Sequence, residues 1–372
     1  MSLDKKEAQL ESDIESIDES GEINRPFDPN EIKISTQQLT IQHLIERLEF
    51  NEINLYTEFQ RQHNLWNEEK QSRLIESILL NMPLPSFYFD GERDNNWQVV
   101  DGLQRVSTIK NFVVDKMLTL EGMEFLKQFN GKKYEDLSRD LQRRIKSFPI
   151  TAYIIQEGTP DDVKYILFSR INTAGLVLSS AEIRHALNQG QPANFLKELA
   201  QLEVFKKAVD GSIKSNRMED RDFVNRFVAF YIIGYENYEH DLNSFMNMGM
   251  AALKNKTRTE LDAIKVVFVK ANELAFQIFQ NDAYRKRVVD TDRRRPINKA
   301  LFDSLSVNLA KLTQKQVEKV RKKKDLVRDK LILLMRNDSS FWDSISSGTG
   351  QKAKVRTRFE KIKNILKETI NS

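Results

Sequence analysis

Apolar positions along this 372-residue chain recur first at helical spacing, then at alternate residues, then at helical spacing again. Ile41, Leu44, Ile45 and Leu48 lie three and four apart, predicting a helix over residues 35–49 with Thr40 as a suitable cap. Residues 53–56 suit a short strand, and residues 59–66 (FQRQHNLW) a polar loop. Asn67 can cap the next helix, whose stripe is Leu74, Ile75, Ile78 and Leu79 and whose first turn is acidic. Pro83 and Pro85 force an extended exit. Phe87, Phe89 and Val99 then alternate across GERDNN, which predicts a hairpin. A short extended piece at 117–120 and a helical patch at 137–148 follow. Residues 150–156 (ITAYIIQ) are almost continuously apolar, as in a strand buried on both faces. Pro160 opens a helix that Gly175 is placed to end, and Ser179 with Glu182 has the spacing of a capping box.

Beyond residue 190 the alternation disappears. Residues 194–209, 221–238, 259–280, 298–312, 315–337 and 355–370 all have helical periodicity. The pattern predicts an α+β domain over residues 24–190, a small mixed sheet with flanking helices, followed by an all-α domain over residues 191–372. Residues 1–23 are acidic and poor in apolar side chains, so a disordered tail is expected there.

Composition narrows the chemistry. The chain has no cysteine, which excludes disulfides, thiolate metal sites and cysteine nucleophiles and fits a reducing compartment. No run of about 18 apolar residues and no apolar leader is present, so a cytoplasmic protein without membrane contact is expected. Charge is uneven: residues 1–31 hold ten acids against three Lys and Arg, while residues 284–330 hold sixteen Lys and Arg against six acids. The basic part suits an anionic partner, most obviously DNA, with Arg293, Arg294, Arg295, Lys322, Lys323 and Lys324 as its candidate contacts. A solvated helix face is the alternative reading of such a run.

No Walker loop, GxGxxG, GxSxG or HExxH motif occurs, and His43, His63, His185 and His240 have no metal-ligand spacing. The informative stretch is Trp97–Phe112, where an apolar strand ends at Asp101-Gly102 and a helix begins at once. Such a helix start offers unpaired N–H groups to an anion. Asp101 adds a carboxylate for a cation, and Arg105 a planar donor fork. Gln104, Ser107 and Thr108 share its first turns. Further polar residues cluster in loops and at helix starts: Gln60 and Arg61, Arg73 and Glu76, Arg170, Asn172 and Thr173, Glu182 and Arg184. Singly, each arginine reads as a partner of Glu76 or Glu182, and Glu182 as a cap; together they suit a polyanionic ligand.

DGLQRVSTI at residues 101–109 resembles the DGQQR signature of the DUF262 family, the N-terminal part of GmrSD-type modification-dependent restriction proteins. FQRQHNLWNEEKQSRLIESILLNMPLPSFYF at 59–89 and FSRINTAGLVLSSAEIRHAL at 168–187 resemble two further blocks of that family. The resemblance implies a ParB/sulfiredoxin-like fold and a role in defence against foreign DNA, with the DGQQR motif tied to nucleoside triphosphate hydrolysis. Carried over by position, Asp101, Gln104, Arg105 and Glu182 would be catalytic. Gln60, Arg61, Gly102, Ser107, Thr108, Arg170, Asn172, Thr173 and Arg184 would hold the nucleotide, and Asp101 with Glu76 a Mg²⁺ ion. Leu103 departs from the signature's glutamine and Ala174 from its glycine, so binding is expected more firmly than hydrolysis. No HNH-type nuclease segment is visible, so the chain is expected to lack cleavage, to cleave through an unrecognised site, or to work with a partner nuclease subunit. Two other readings stay open: a DNA-binding protein without nucleotide turnover, and a metal-dependent nickase using Asp101 and Glu182. On the first reading, Arg105→Ala is expected to weaken nucleotide binding at least about tenfold with the fold intact.

Overall fold

A computed structural model describes residues 14–15, 32–55, 66–91, 96–171, 179–239, 241–289 and 294–372, the side chains of 161, 162 and 216 excepted. The chain divides into two compact units, one of residues 27–187 and one of residues 188–372 that also takes in residues 14 and 15.

The first unit is built on a five-stranded mixed sheet, as the patterning predicts. Its strands are β1 (Ile34–Thr40), β2 (Ile53–Asn54), β3 (Phe87–Asp90), β4 (Trp97–Asp101) and β5 (Pro149–Ile155), in the order β1-β5-β3-β4-β2. β3 runs parallel to β5 and β2 to β4, while β1–β5 and β3–β4 are antiparallel. Period-two alternation separates two faces. Phe87, Phe89, Trp97, Val99, Ile150, Ala152 and Ile154 pack into one core with α1 (Ile41–Glu49), α2 (Glu68–Leu79), α3 (Leu103–Ile109) and α4 (Arg139–Ser147). Val100 and Ile155 face the other way, against Phe168, Ile183 and Ala186 from α5 (Asp161–Ile171) and α6 (Ser180–Leu187). β5 therefore buries both faces, which accounts for its unbroken apolar run.

The N-terminal boundary differs from the sequence reading. Residues 34–40 form a strand, and the helix begins only at Ile41. β1 pairs with β5 along its whole length, from Ile34 opposite Ile155 to Thr40 opposite Pro149. Only tertiary pairing reveals this, because ISTQQLT carries too few apolar residues to show a period of two. The 117–120 piece takes no place in the sheet: Leu118 and Leu120 are buried, and Leu120 exchanges backbone bonds with Gly131 and Lys132.

The second unit is mostly helical: α7 (Gln191–Ala200), α8 (Glu203–Ala208), α9 (Glu219–Ile232), α10 (Leu242–Leu253), α11 (Arg258–Phe279), α12 (Lys299–Ala310), α13 (Gln314–Lys322), α14 (Lys324–Asn337), α15 (Ser339–Ser344) and α16 (Lys352–Asn371). The segment expected as one helix over 315–337 breaks at Lys323, and α10 was not foreseen; Asp241 caps it through Asn243 N–H at 2.9 Å. One apolar core joins these helices. Inside it Asp303 on α12 accepts two bonds of 2.7 Å from Arg226 on α9 and one of 3.4 Å from Arg358 on α16, all three side chains being at most 1% exposed. No helix of the described residues is long and apolar enough to cross a membrane.

Two residues of the acidic leader are described. Ile14 pairs with Ile297 as an isolated parallel β-bridge and packs on the helical core, and Glu15 N–H donates to Ile297 O at 2.8 Å.

Candidate functional site

The end of β4 is shaped by a bulge. Tyr88 stands opposite Asp101 and Phe89 opposite Val99, so Val100 is the extra residue. A one-residue shift in register re-aims everything after it, and here it sets Asp101 beside Tyr88. Gly102 follows at φ +98° and caps α3 without any side chain. A Cβ at Gly102 would lie 2.8 Å from Phe87 Cδ1, so both backbone and space demand glycine. The first intrahelical bond is Val106 N–H to Gly102 O at 2.8 Å, and α3 runs on as one wider turn over Lys110–Val114. The three N–H groups ahead of Val106 thus have no cap from the Gly102 side chain position.

Arg105 is 8% exposed and its fork is engaged. Nη2 donates to Asp101 Oδ2 at 2.8 Å and to Ser86 O at 3.2 Å, Nη1 donates to Pro85 O, and the guanidinium lies 4.5 Å from the Phe87 ring centroid. Burial lowers the Arg105 pKa, and the Asp101 carboxylate beside it offsets part of that. Asp101 keeps 36% of its side chain exposed, so one carboxylate oxygen is tied to Arg105 while the group still faces solvent. Tyr88 stacks on Tyr153 at 4.9 Å between ring centroids, and its pKa is raised by burial, by Tyr153 and by Asp101. These tyrosines and the buried pair Lys164–Asp90 (3.3 Å) were not singled out from sequence. The alternation that buries Phe87 and Phe89 already put Tyr88 and Asp90 on the opposite face.

Gln104 accepts from Trp66 N–H at 2.9 Å, while Gln71 Nε2 donates to Trp66 O at 2.7 Å. Both amides thereby pin the residue at which the chain leaves the 56–65 segment. Thr108 Oγ1 donates to Gln104 O at 2.7 Å and is buried; Ser107 is half-buried. Gln60, Arg61, Asn172 and Thr173 lie outside the described residues. Arg170 is exposed near the end of α5, and Arg184 is buried in α6.

Two carboxylates have other work. Glu76 is 4% exposed and accepts N–H bonds from Glu124 (3.0 Å), Phe125 (2.7 Å) and Leu126 (2.7 Å). Burial raises its pKa, but these bonds outweigh burial and hold it below the usual carboxylate range. Arg73 pairs with Glu69 at 2.8 Å, its neighbour one turn back. Glu182 closes a capping box, accepting from Ser179 N–H at 2.6 Å while its own N–H donates to Ser179 Oγ at 3.2 Å. Among the described residues no group of three or more His, Asp or Glu side chains is placed to hold a metal ion. Glu76 does not fit a Mg²⁺ site, since coordination would strip three backbone donors from it. Asp101 does fit, because Mg²⁺ takes one or two carboxylates and fills its shell with phosphate oxygens and water.

Residues 41–189 match the model of the GmrSD restriction endonuclease N-terminal domain. This segment is similar to GmrSD-type N-terminal domains. Neither the curated proteins nor the solved structures contain a match to the chain. The GmrSD-type segment spans the sheet from the helix after β1 to the end of α6, so the Asp101–Gly102–Arg105 junction lies within it, as does Glu182.

The basic residues of the helical unit divide into two sets. Lys319 and Lys323 reach the last carbonyls of α16, donating to Ile370 O at 3.2 Å and Thr369 O at 3.4 Å, where the helix dipole favours cations. Lys323 is thus committed within the fold, and Arg294 pairs with Asp210. Lys322 and Lys324 are exposed. Arg295 lies 5.6 Å from the Trp342 ring centroid, and Arg293 is outside the described residues.

Proposed function

We propose that this protein is a DNA-associated component of a restriction-type defence system whose GmrSD-type domain binds a nucleoside triphosphate. The observation that carries the nucleotide reading is the β4–α3 junction. A glycine that cannot be replaced without strain opens a helix with no side-chain cap, beside a carboxylate held half-exposed by a buried arginine. A phosphate would take the N–H groups of Leu103, Gln104 and Arg105. Asp101 would hold the Mg²⁺ that accompanies the phosphates, and Arg105 would position Asp101 rather than touch the ligand. Arg61 and Arg170, from the other two family blocks, would supply direct guanidinium contacts. Gln104 would fix the departure of the 56–65 segment that carries Arg61. Leu103 offers no hydrogen bond to an attacking water, so binding is proposed without turnover.

Calorimetric titration with ATP, GTP, CTP and UTP, with and without Mg²⁺, tests this. At least one nucleotide should bind, and Asp101→Asn should weaken that binding at least about tenfold in Mg²⁺ but little without it. Absence of binding by all four, or binding indifferent to Asp101→Asn, would refute the assignment. The DNA association is supported by the exposed Lys322 and Lys324 and by the family's link to restriction. Lys322→Gln with Lys324→Gln should lower the salt dependence of DNA affinity by about two phosphate contacts. An unchanged slope would remove this surface from the proposal.

A further inference from the structure

The acidic leader meets the basic segment of the helical unit at a built contact. Ile14 forms a parallel bridge with Ile297, and Glu15 N–H donates to Ile297 O at 2.8 Å. The Glu15 carboxylate then uses both oxygens. Oε1 accepts from Lys286 Nζ at 2.7 Å, and Oε2 accepts from Asn298 Nδ2 at 2.8 Å. Lys286 is 4% exposed; it also donates to Ser346 Oγ at 2.8 Å and sits 5.0 Å from the Trp342 ring centroid. Asn298 is fully buried, caps α12 through Leu301 N–H and donates to Ile345 O as well. A backbone bridge, a partly buried apolar anchor and a carboxylate on a shielded ammonium together specify an extended acidic peptide, not a random surface charge pair.

The same neighbourhood is the basic one. Residues 284–298 contain Arg285, Lys286, Arg287, Arg293, Arg294 and Arg295 against Asp290 and Asp292. Arg285 and Arg287 are committed to Ser212 and Asp282. Lys286 and Arg295 instead converge on the half-buried Trp342 ring, an arrangement of cations on an aromatic face that suits a nucleic-acid strand.

We propose that the leader is an intramolecular strap: Ile14 and Glu15 occupy the Lys286–Asn298–Ile297 groove and withhold Lys286 from nucleic acid, which must displace them to bind. The inference rests on the DNA association proposed above and names a regulation of it. While the strap is docked, Glu15 neutralises Lys286, and the same stretch of residues 1–31 carries nine further acids in sequence. Release uncovers one further phosphate contact and removes local negative charge.

The test uses the full chain and a labelled DNA duplex. Hydrogen exchange of the peptide containing residues 14 and 15 is followed with and without saturating DNA, and affinity is read by fluorescence anisotropy across a salt series. The Glu15 amide should be protected in the unliganded chain and should exchange faster once DNA is bound. Glu15→Gln should raise DNA affinity about three- to tenfold at 0.1 M salt and steepen the salt slope by about one. Asp4→Asn, an equal change in net charge, should leave affinity within about twofold of the parent chain. DNA binding with undiminished protection of the leader overturns the strap. Equal gains from Glu15→Gln and Asp4→Asn also overturn it, because net charge then suffices. Absence of DNA binding by both the parent chain and Glu15→Gln overturns the DNA reading itself and the strap with it.

Discussion

Removing the Arg105 side chain tests whether this residue holds the site together or only touches a ligand. Its guanidinium makes one ion pair with Asp101 and donates to the carbonyls of Pro85 and Ser86, from a side chain that is 9% exposed. Arg105→Ala leaves Asp101 able to rehydrate, because 36% of that side chain already meets solvent, so the lost ion pair contributes little by itself. The two carbonyls are different. They sit where the chain turns into β3, and losing charge-assisted donors there costs about 1.5–3 kcal/mol for one and less for the second, since the bonds share one group. Loss of the Phe87 contact adds roughly 0.5–1 kcal/mol. The expected total is about 2–4 kcal/mol, equivalent to roughly 5–15 °C in midpoint for a unit of this size. Arg105→Lys keeps the charge but not the fork, and about half the loss is expected. Urea unfolding followed by tryptophan fluorescence in a Trp342→Phe background isolates the first unit, where Trp66 and Trp97 reside. A loss below about 0.5 kcal/mol for Arg105→Ala would refute the positioning role and return Arg105 to direct ligand binding. The buried fork makes reduced stability the first expected effect of this substitution.

Glu76 gives a pH signature. Its folded pKa lies below the ordinary 4.5, so its contribution is fully present above that value and is lost as pH falls through the folded pKa. Stability of the first unit should decline on acidification below about pH 4.5, and Glu76→Gln should flatten that decline in pH-dependent urea melts. An unchanged slope in the variant would show that the amides of 124–126 do not depend on the carboxylate. Gly102→Ala should cost about 1–3 kcal/mol for the left-handed backbone alone, with the Phe87 overlap adding to it, in the same fluorescence assay. In the helical unit, Asp303→Asn removes the carboxylate charge that accepts from the buried Arg226 and Arg358 guanidinium groups and should cost about 3–5 kcal/mol by thermal unfolding followed by circular dichroism. A melt within 2 °C of the parent (less than about 1 kcal/mol) would mean that water reaches the triad.

The local signals in this sequence determined local structure. Asn67 caps α2, Ser179 and Glu182 close their box, and the alternation of Phe87, Phe89 and Val99 sets the hairpin, because capping and pleat act within a few residues. The strand–turn–helix at Asp101-Gly102 was legible for the same reason, and so was the family resemblance carried by contiguous blocks. What lay beyond reach depends on partners far apart in sequence. Residues 34–40 are a strand only because β5, over a hundred residues later, offers its edge. Arg105 and Glu76 carry the right chemistry for phosphate and metal, and their spacing gave no sign that carbonyls at 85–86 and amides at 124–126 would occupy them. Lys323 and Lys324 are neighbours with the same charge, yet one is spent on the end of α16 and the other faces solvent. A sequence states which groups a residue can satisfy. Burial, which raises the cost of leaving any of them unsatisfied, decides which partner each one takes, and burial exists only in the folded chain.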